Sequence, residues 1–150
     1  MKKCLALCIT ALISLLLLNQ SAVAAENARS GTIKNIKGNV SVESKGVLRA
    51  VSAGSAIFES DQIVTGKNSG AGLTLADGTV ITMGANSKLD MAKFQFDAVT
   101  EEGNILVKLI RGSMRMITGL VGKHNSQNVQ VTTRSATIGI RGTDFIVETQ

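Results

Sequence analysis

Beyond about residue 26, apolar residues recur at every second position, and no segment carries them at helical spacing over three turns. Alternation with period two is the pattern of strands that bury one face. The alternating pairs are Val40 and Val42, Leu73 and Leu75, Ile81 and Met83, Leu89 and Met91, Val129 and Val131, and Ile138 and Ile140. The pattern therefore predicts an all-β fold in which one face of each strand lies in the core.

One turn between two of these strands is marked clearly. Asp77 and Gly78 separate an alternating segment that ends at Leu75 from another that ends at Met83. Aspartate and glycine both tolerate the positive φ that a type I′ hairpin turn requires. We therefore predict a β-hairpin with a type I′ turn at Asp77 and Gly78. Other glycines recur along the chain and divide it into short strands, and residues 119–128 are predicted to form the longest exposed loop.

The N-terminus has the three parts of a secretory signal. Lys2 and Lys3 precede an apolar run over residues 4–18, and the small residues 22–25 precede Glu26. The run is short for a membrane-spanning helix. We predict a helical, cleavable signal peptide at residues 1–25 and a single domain at residues 26–150. An uncleaved anchor is the alternative, and either one places the remaining chain outside the cytoplasm.

Composition narrows the function. Both cysteines, Cys4 and Cys8, lie in the signal segment, so the rest of the chain offers no disulfide or thiolate ligand. The formal net charge is +5 and falls by two without Lys2 and Lys3, and there is no tyrosine or tryptophan for base stacking. These features argue against a nucleic-acid partner and weaken carbohydrate binding on aromatic platforms. The sequence indicates no cofactor.

Candidate chemistry is sparse. His124 is the only histidine and lies in the predicted loop without the partners of a zinc site. No serine sits in a nucleophile-elbow motif, no spacing selects a carboxylate pair for glycoside hydrolysis, and no segment has the pattern of a calcium loop. We therefore expect no metal site, no catalytic residue and no enzymatic activity. A hydrolase remains the alternative that activity screens would test.

Several motifs occur in an order that resembles the FecR protein domain, a bacterial extracytoplasmic family. Each is weak singly, and the order makes them specific. They are residues 38–42 (GNVSV), 53–54 (AG), 61–66 (DQIVTG), 71–79 (AGLTLADGT), 87–89 (SKL), 109–115 (LIRGSMR), 131–133 (VTT) and 136–145 (ATIGIRGTDF).

The resemblance implies a compact β fold, expected here as a twisted, solenoid-like winding of short strands with β-hairpins. Its signature residues are expected to be structural. In the closing motif, Gly142 would permit a tight turn, Arg141 would pair with a carboxylate or cap carbonyls, and Thr143 would start the last strand. The signature residues are Thr65, Gly66, Asp77, Gly78, Gly112, Arg115, Arg141, Gly142 and Thr143.

The best-known members of this family are anti-sigma regulators of iron uptake, with a cytoplasmic segment, a membrane helix and a further receptor-contacting domain. This sequence departs from that plan at both ends, so the anti-sigma activity is not carried over. We expect a stand-alone periplasmic or secreted protein-binding or signalling module, which binds another envelope protein through a strand edge or loop, with no binding residue indicated. A regulator of iron-uptake signalling is a further alternative. The alternative is a structural or polysaccharide-associated component of the envelope, and membrane contact is expected only through an uncleaved signal segment.

Overall fold

The computed structural model describes residues 28–150, and the predicted signal-peptide helix lies outside them. Within this range no helix is long and apolar enough to cross a bilayer. A short helix, α1 (Leu120–His124), is followed by a 3-10 turn at Ser126–Asn128. The strands are β1 (Arg29–Lys37), β2 (Val40–Ser44), β3 (Val47–Ala50), β4 (Ala56–Phe58), β5 (Gln62–Thr65), β6 (Gly70–Leu75), β7 (Val80–Met83), β8 (Lys88–Phe96), β9 (Gly103–Ile117), β10 (Val129–Thr132), β11 (Thr137–Gly139) and β12 (Asp144–Thr149).

The longest strand, β9, joins the two halves of a single curled, half-barrel-like sheet. Its first part pairs with β8 antiparallel and with β10 parallel. From Gly112 onward it pairs with β7 and β12, both antiparallel. The strand order is β3-β2-β5-β8-β9-β7-β6-β1-β4, with β10 and β12 attached to β9 and β11 attached to β10.

The inner face of the sheet encloses one hydrophobic core, to which both halves contribute. Leu73 and Ile81, for example, are partners across β6 and β7, and neither side chain has any exposed surface. Each predicted alternating pair contributes to this core, although Ile138 is only partly buried. The prediction of an all-β fold with one buried face per strand is confirmed.

The predicted solenoid-like winding is not confirmed. A solenoid stacks successive coils through parallel strands, whereas β9 and β10 form the only parallel pair among the described strands. Consecutive hairpins such as β6–β7 and β8–β9 fold the chain back on itself instead. The long β9 then carries both sets of hairpins, which produces one curled sheet.

Gly112, one of the signature residues, lies where β9 changes pairing partners, since pairing with β8 ends at Arg111 and pairing with β12 begins at Gly112. Its φ is +86°, in the region that glycine adopts without the steric cost of a Cβ atom. An added Cβ would overlap Ser87, which is fully buried. The Ser87 hydroxyl accepts the Ser113 N–H at 3.0 Å and so ties β9 to the segment before β8. Gly112 therefore lets β9 pass from one half of the sheet to the other.

The predicted β6–β7 hairpin is present, but its turn is not type I′. Only Gly78 has positive φ, at +83°, and Asp77 does not. The Gly78 N–H donates to the Leu75 carbonyl at 3.0 Å and the Leu75 N–H to the Thr79 carbonyl at 2.8 Å, as in a three-residue loop with a glycine bulge. The extra residue turns the Asp77 carboxylate inward, where it accepts the Thr79 N–H at 3.0 Å and the Thr79 hydroxyl at 2.7 Å.

The predicted exposed loop at residues 119–128 is wrong in its first part, which forms α1. The Leu120 N–H donates to the Asp77 carbonyl at 2.9 Å, and the Gly119 N–H donates to the Thr79 hydroxyl at 2.9 Å. Val121 is buried in the core. Contacts between distant parts of the chain thus order a segment whose composition alone indicates a loop, while His124 is exposed as expected.

Candidate functional site

A groove runs along the outer edge of β12. Within residues 28–150 this strand pairs with β9 only, and β11 pairs with β10 only. The groove between them has a volume of about 180 Å³. Its lining combines apolar side chains with backbone of the closing motif: Ile138, Gly139, Ile140, Arg141, Gly142, Asp144, Phe145, Ile146 and Val147.

The backbone of β12 presents hydrogen-bonding groups to this groove. The Thr118 N–H donates to the Thr143 carbonyl at 2.8 Å, which fixes the side of the chain that faces β9 at that position. Because successive residues of an antiparallel strand point their N–H and C=O groups to opposite sides, those of Asp144, Ile146 and Glu148 point away from β9. An extended peptide could pair with these groups.

Arg115 and Asp144 hold the start of β12 against β9. The guanidinium donates two hydrogen bonds to the carboxylate, from Nε at 2.9 Å and from Nη2 at 2.6 Å. This two-point geometry fixes orientation as well as distance. Hydrogen bonding from Arg115 lowers the pKa of the Asp144 carboxyl below its ordinary value.

Removing the Arg115 guanidinium should return the pKa of Asp144 toward its ordinary value. A carboxylate whose pKa is lowered in the folded state stabilises that state above its unfolded pKa of about 3.9, and the effect is lost as the pH falls through the folded value. Both side chains are exposed, so the effect should weaken with added salt. The measurement is an NMR titration of Asp144 in the protein and in Arg115→Met. Arg111→Met, at another exposed arginine of β9, is the matched control.

An Asp144 titration that is the same in Arg115→Met as in the parent protein would contradict this role. If the pKa of Asp144 rises equally in Arg111→Met, the lowered value comes from the general positive charge of β9 and not from the Arg115–Asp144 pair.

Of the three signature residues of the closing motif, Arg141 and Gly142 line the groove, and Thr143 lies between Gly142 and the lining residue Asp144. Arg141 is exposed and forms no ion pair within residues 28–150, so carboxylate pairing, one of its two expected roles, is not seen there, and carbonyl capping stays a prediction. The ion pair at this surface joins Arg115 to Asp144. Gly142 has φ of +134° with open space around its Cα, which fits the predicted turn. Thr143 directly precedes β12 and accepts the Thr118 N–H.

The other signature residues, apart from Arg115, lie away from the groove. The Thr65 hydroxyl donates to the Gly84 carbonyl at 2.6 Å and accepts the Ser87 N–H at 2.9 Å, and the Gly66 N–H donates to the Asn39 carbonyl at 2.9 Å. An added Cβ at Gly112 would overlap Ser87, the Asp77 carbonyl accepts the Leu120 N–H of α1, and the Gly78 N–H donates to the Leu75 carbonyl in the hairpin turn. Some signature residues therefore hold strands together inside the fold. Others lie at one surface, where the Arg115–Asp144 pair is next to the groove.

Ile146 also belongs to this surface, and it was not among the residues predicted from the sequence. Its side chain is 71% exposed, on the outer face of β12 opposite Arg115. Val80 and Ile117 are cross-strand partners on the same outer face and are also exposed. A signal was present, because Ile146 and Val147 are adjacent in a strand and only one of them can face the core.

A second apolar edge lies at β3, which pairs with β2 only among the described strands. Val47 and Leu48 are 67% and 64% exposed. Arg49 fixes this strand, since its guanidinium donates to the Ala56 carbonyl at 2.8 Å and to the buried Asp61 carboxylate at 3.3 Å. Within residues 28–150, β12 and β3 are thus both edge strands with exposed apolar side chains, and β12 is the longer of the two.

No group of three or more histidine, cysteine, aspartate or glutamate side chains suited to a metal ion occurs within residues 28–150.

Comparison with known proteins gives one family match. The family model described as FecR protein matches residues 61–150. A search of curated proteins finds no match. A solved structure titled "Cell surface anchoring domain" aligns with 42% of this chain and 84% of its own, at 30% sequence identity and a TM-score of 0.41. That TM-score is too low for the likeness to say anything of fold or function.

Proposed function

Because the chain belongs to the FecR protein family, we propose that it is a non-enzymatic module of the bacterial cell envelope that binds an extended segment of another envelope protein. The segment would add to the sheet as a further strand beside β12. The observation that carries the proposal is the unpaired edge of β12 next to an apolar groove.

Strand addition draws affinity from the main chain and specificity from the side chains. The outward N–H and C=O groups of Ile146 and Glu148 would hydrogen-bond to the incoming strand, as in other cases of β-augmentation. Alternate side chains of that strand would enter the groove beside Ile138 and Phe145. The Arg115–Asp144 pair would hold β12 in place before the partner arrives, which reduces the entropy lost on binding.

The edge of β12 is favoured over that of β3 for two reasons. It offers six residues for pairing, against four in β3. It also lies within the part of the chain that the FecR family model matches, whereas β3 precedes that part. The two edges therefore make a matched pair for experiment.

The proposed location follows from the family and from the N-terminal sequence. Residues 1–25 would direct the chain across the cytoplasmic membrane, and cleavage before Glu26 would release it as a periplasmic or secreted protein. The absence of enzymatic activity and of a cofactor is proposed from the sequence, in which no motif assembles a nucleophile and base.

Capture from living cells tests the proposal. A tagged full-length chain is crosslinked in the cells, and the retained proteins and its own N-terminus are identified by mass spectrometry. Ile146→Lys should reduce enrichment of the partner by at least about tenfold, because the new ammonium would lose hydration in the apolar groove. The matched control is Leu48→Lys, a similarly exposed residue on the other edge, which should leave enrichment unchanged.

Loss of the partner in Leu48→Lys but not in Ile146→Lys would move the site to β3 and contradict the proposal. An N-terminus that begins at Met1 would contradict cleavage and release, and would indicate a protein that stays anchored in the membrane.

A further inference from the structure

A second cavity lies where the β8–β9 turn meets α1 and the 3-10 turn. Its volume is about 360 Å³, within the range of small-molecule sites. Gly103 is among its lining residues, and a Cβ at this position would overlap the Gln95 carbonyl and the Val121 side chain. The glycine lets α1 approach the start of β9, with Val121 buried beneath the cavity.

Six polar side chains line this cavity and make no hydrogen bond to another described residue. Asn104 and Asn128 are partly buried, and the others are exposed. A seventh, Asn125, is engaged, because its Oδ1 accepts the Gln127 N–H at 3.0 Å. The six side chains are Gln95, Glu101, Glu102, Asn104, His124 and Asn128.

The chemistry of the lining selects one class of ligand. Two carboxylates and the absence of lysine and arginine disfavour phosphates, nucleic acids and acidic glycans. Three amides, each with two N–H donors and a carbonyl acceptor, match sugar hydroxyls, which both donate and accept. A polyamine would offer only donors and would leave the amide N–H groups unmatched.

We propose that this cavity binds a short segment of an uncharged polysaccharide, with Asn104 and Asn128 as its central hydrogen-bonding residues. The site is built from different elements than the groove at β12, and its ligand is of a different class. The protein would then hold a protein partner at one surface and a glycan at another.

The affinity should be weak, with a dissociation constant of about 1 mM. No tyrosine or tryptophan exists in the chain to stack on a sugar ring, so the polar contacts would act with little apolar support. Such affinity suits a segment that is repeated many times along a polymer, where multivalency adds to single contacts.

The test is an NMR titration of isotopically labelled protein, purified from cells, with cellobiose, maltotriose and N,N′-diacetylchitobiose. At least one should shift the side-chain amide signals of Gln95, Asn104 and Asn128 in a saturable manner. Asn104→Ala and Asn128→Ala should each weaken that binding by about fivefold, the effect of one lost hydrogen bond. The matched control is Gln127→Ala, an exposed amide of the same segment outside the cavity lining, which should bind normally.

Trigalacturonate and spermidine serve as anionic and cationic comparison ligands. The proposal is overturned if none of the three uncharged saccharides binds, if either comparison ligand shifts the same signals at lower concentration, or if binding persists unchanged in both asparagine variants. The backbone spectrum of each variant reports whether it is folded, so a loss of binding is assigned only where that spectrum is retained.

Discussion

Gly112→Ala is expected to lower the free energy of unfolding by about 3 kcal/mol. The left-handed backbone at this position, with φ of +86°, costs a residue with a Cβ atom about 1 kcal/mol or more. The larger part comes from crowding, because the new methyl group would overlap the backbone and hydroxyl of Ser87. Relief would require Ser87 to move and would break its hydrogen bond to Ser113.

The matched control for this substitution is Gly46→Ala. Gly46 has nearly the same φ, +80°, but nothing lies within 4 Å of an added Cβ. It should lose only the conformational part, about 1 kcal/mol. Urea unfolding of both variants measures the difference, and equal losses would mean that crowding against Ser87 adds nothing to the cost at Gly112.

Asp77→Ala is expected to cost about 3 kcal/mol of unfolding free energy. Asp77 is 1% exposed, and its carboxylate satisfies both the N–H and the hydroxyl of Thr79. Without it the Thr79 N–H is buried with no acceptor, which incurs the desolvation cost of that group. The Thr79 hydroxyl also accepts the Gly119 N–H, so the attachment of α1 should loosen as well.

Asp97→Ala is the matched control, and it separates the effect of burial on stability from that of hydrogen bonding. Asp97 also accepts two backbone N–H groups, from Val99 at 2.7 Å and from Thr100 at 3.1 Å, but it is exposed. Water can replace the carboxylate there, so the melting temperature should change little. Both variants are measured by thermal unfolding and by amide hydrogen exchange in α1. A similar loss of melting temperature in the two variants would contradict the role of the buried Asp77 carboxylate. Unchanged exchange in α1 of Asp77→Ala would contradict its link to α1.

The strands were predictable because their signal is local. Leu73, Leu75, Ile81 and Met83 alternate with polar residues, and a period of two identifies both the strand and its buried face. Pairing between distant strands was not predictable from the same pattern. β7 pairs with β9, and β1 with β6, through contacts that no local sequence feature specifies. The solenoid-like winding was expected without this information, and the antiparallel pairings do not confirm it.

The helix α1 could not be predicted from its own segment of sequence either. Residues 119–128 have loop composition, and their order depends on Asp77 and Thr79, some 40 positions earlier in the chain. Gly119 is needed there because a Cβ would overlap the Asp77 carbonyl and the Thr79 nitrogen. A glycine selected for close approach is indistinguishable in sequence from one in a flexible loop.

Only part of the candidate site could be predicted from the sequence. The closing motif was identified as a set of signature residues, with Arg141 expected to pair with a carboxylate or cap carbonyls, whereas the ion pair at this surface is made by Arg115. Choosing between two arginines requires the register of β9 against β12, which places Ile117 opposite Asp144 and leaves Arg115 one diagonal away. The alternation of Ile146 and Val147 already requires that one of them face outward, and the structure shows that it is Ile146.

Amide hydrogen exchange in β12, with and without the captured partner, tests the central claim most directly. Strand addition predicts slower exchange at Ile146 and Glu148, whose N–H groups point outward, and no change at Phe145 and Val147, whose N–H groups already face β9. Protection that appears in β3 while Ile146 and Glu148 exchange as in the unbound protein would contradict strand addition at β12.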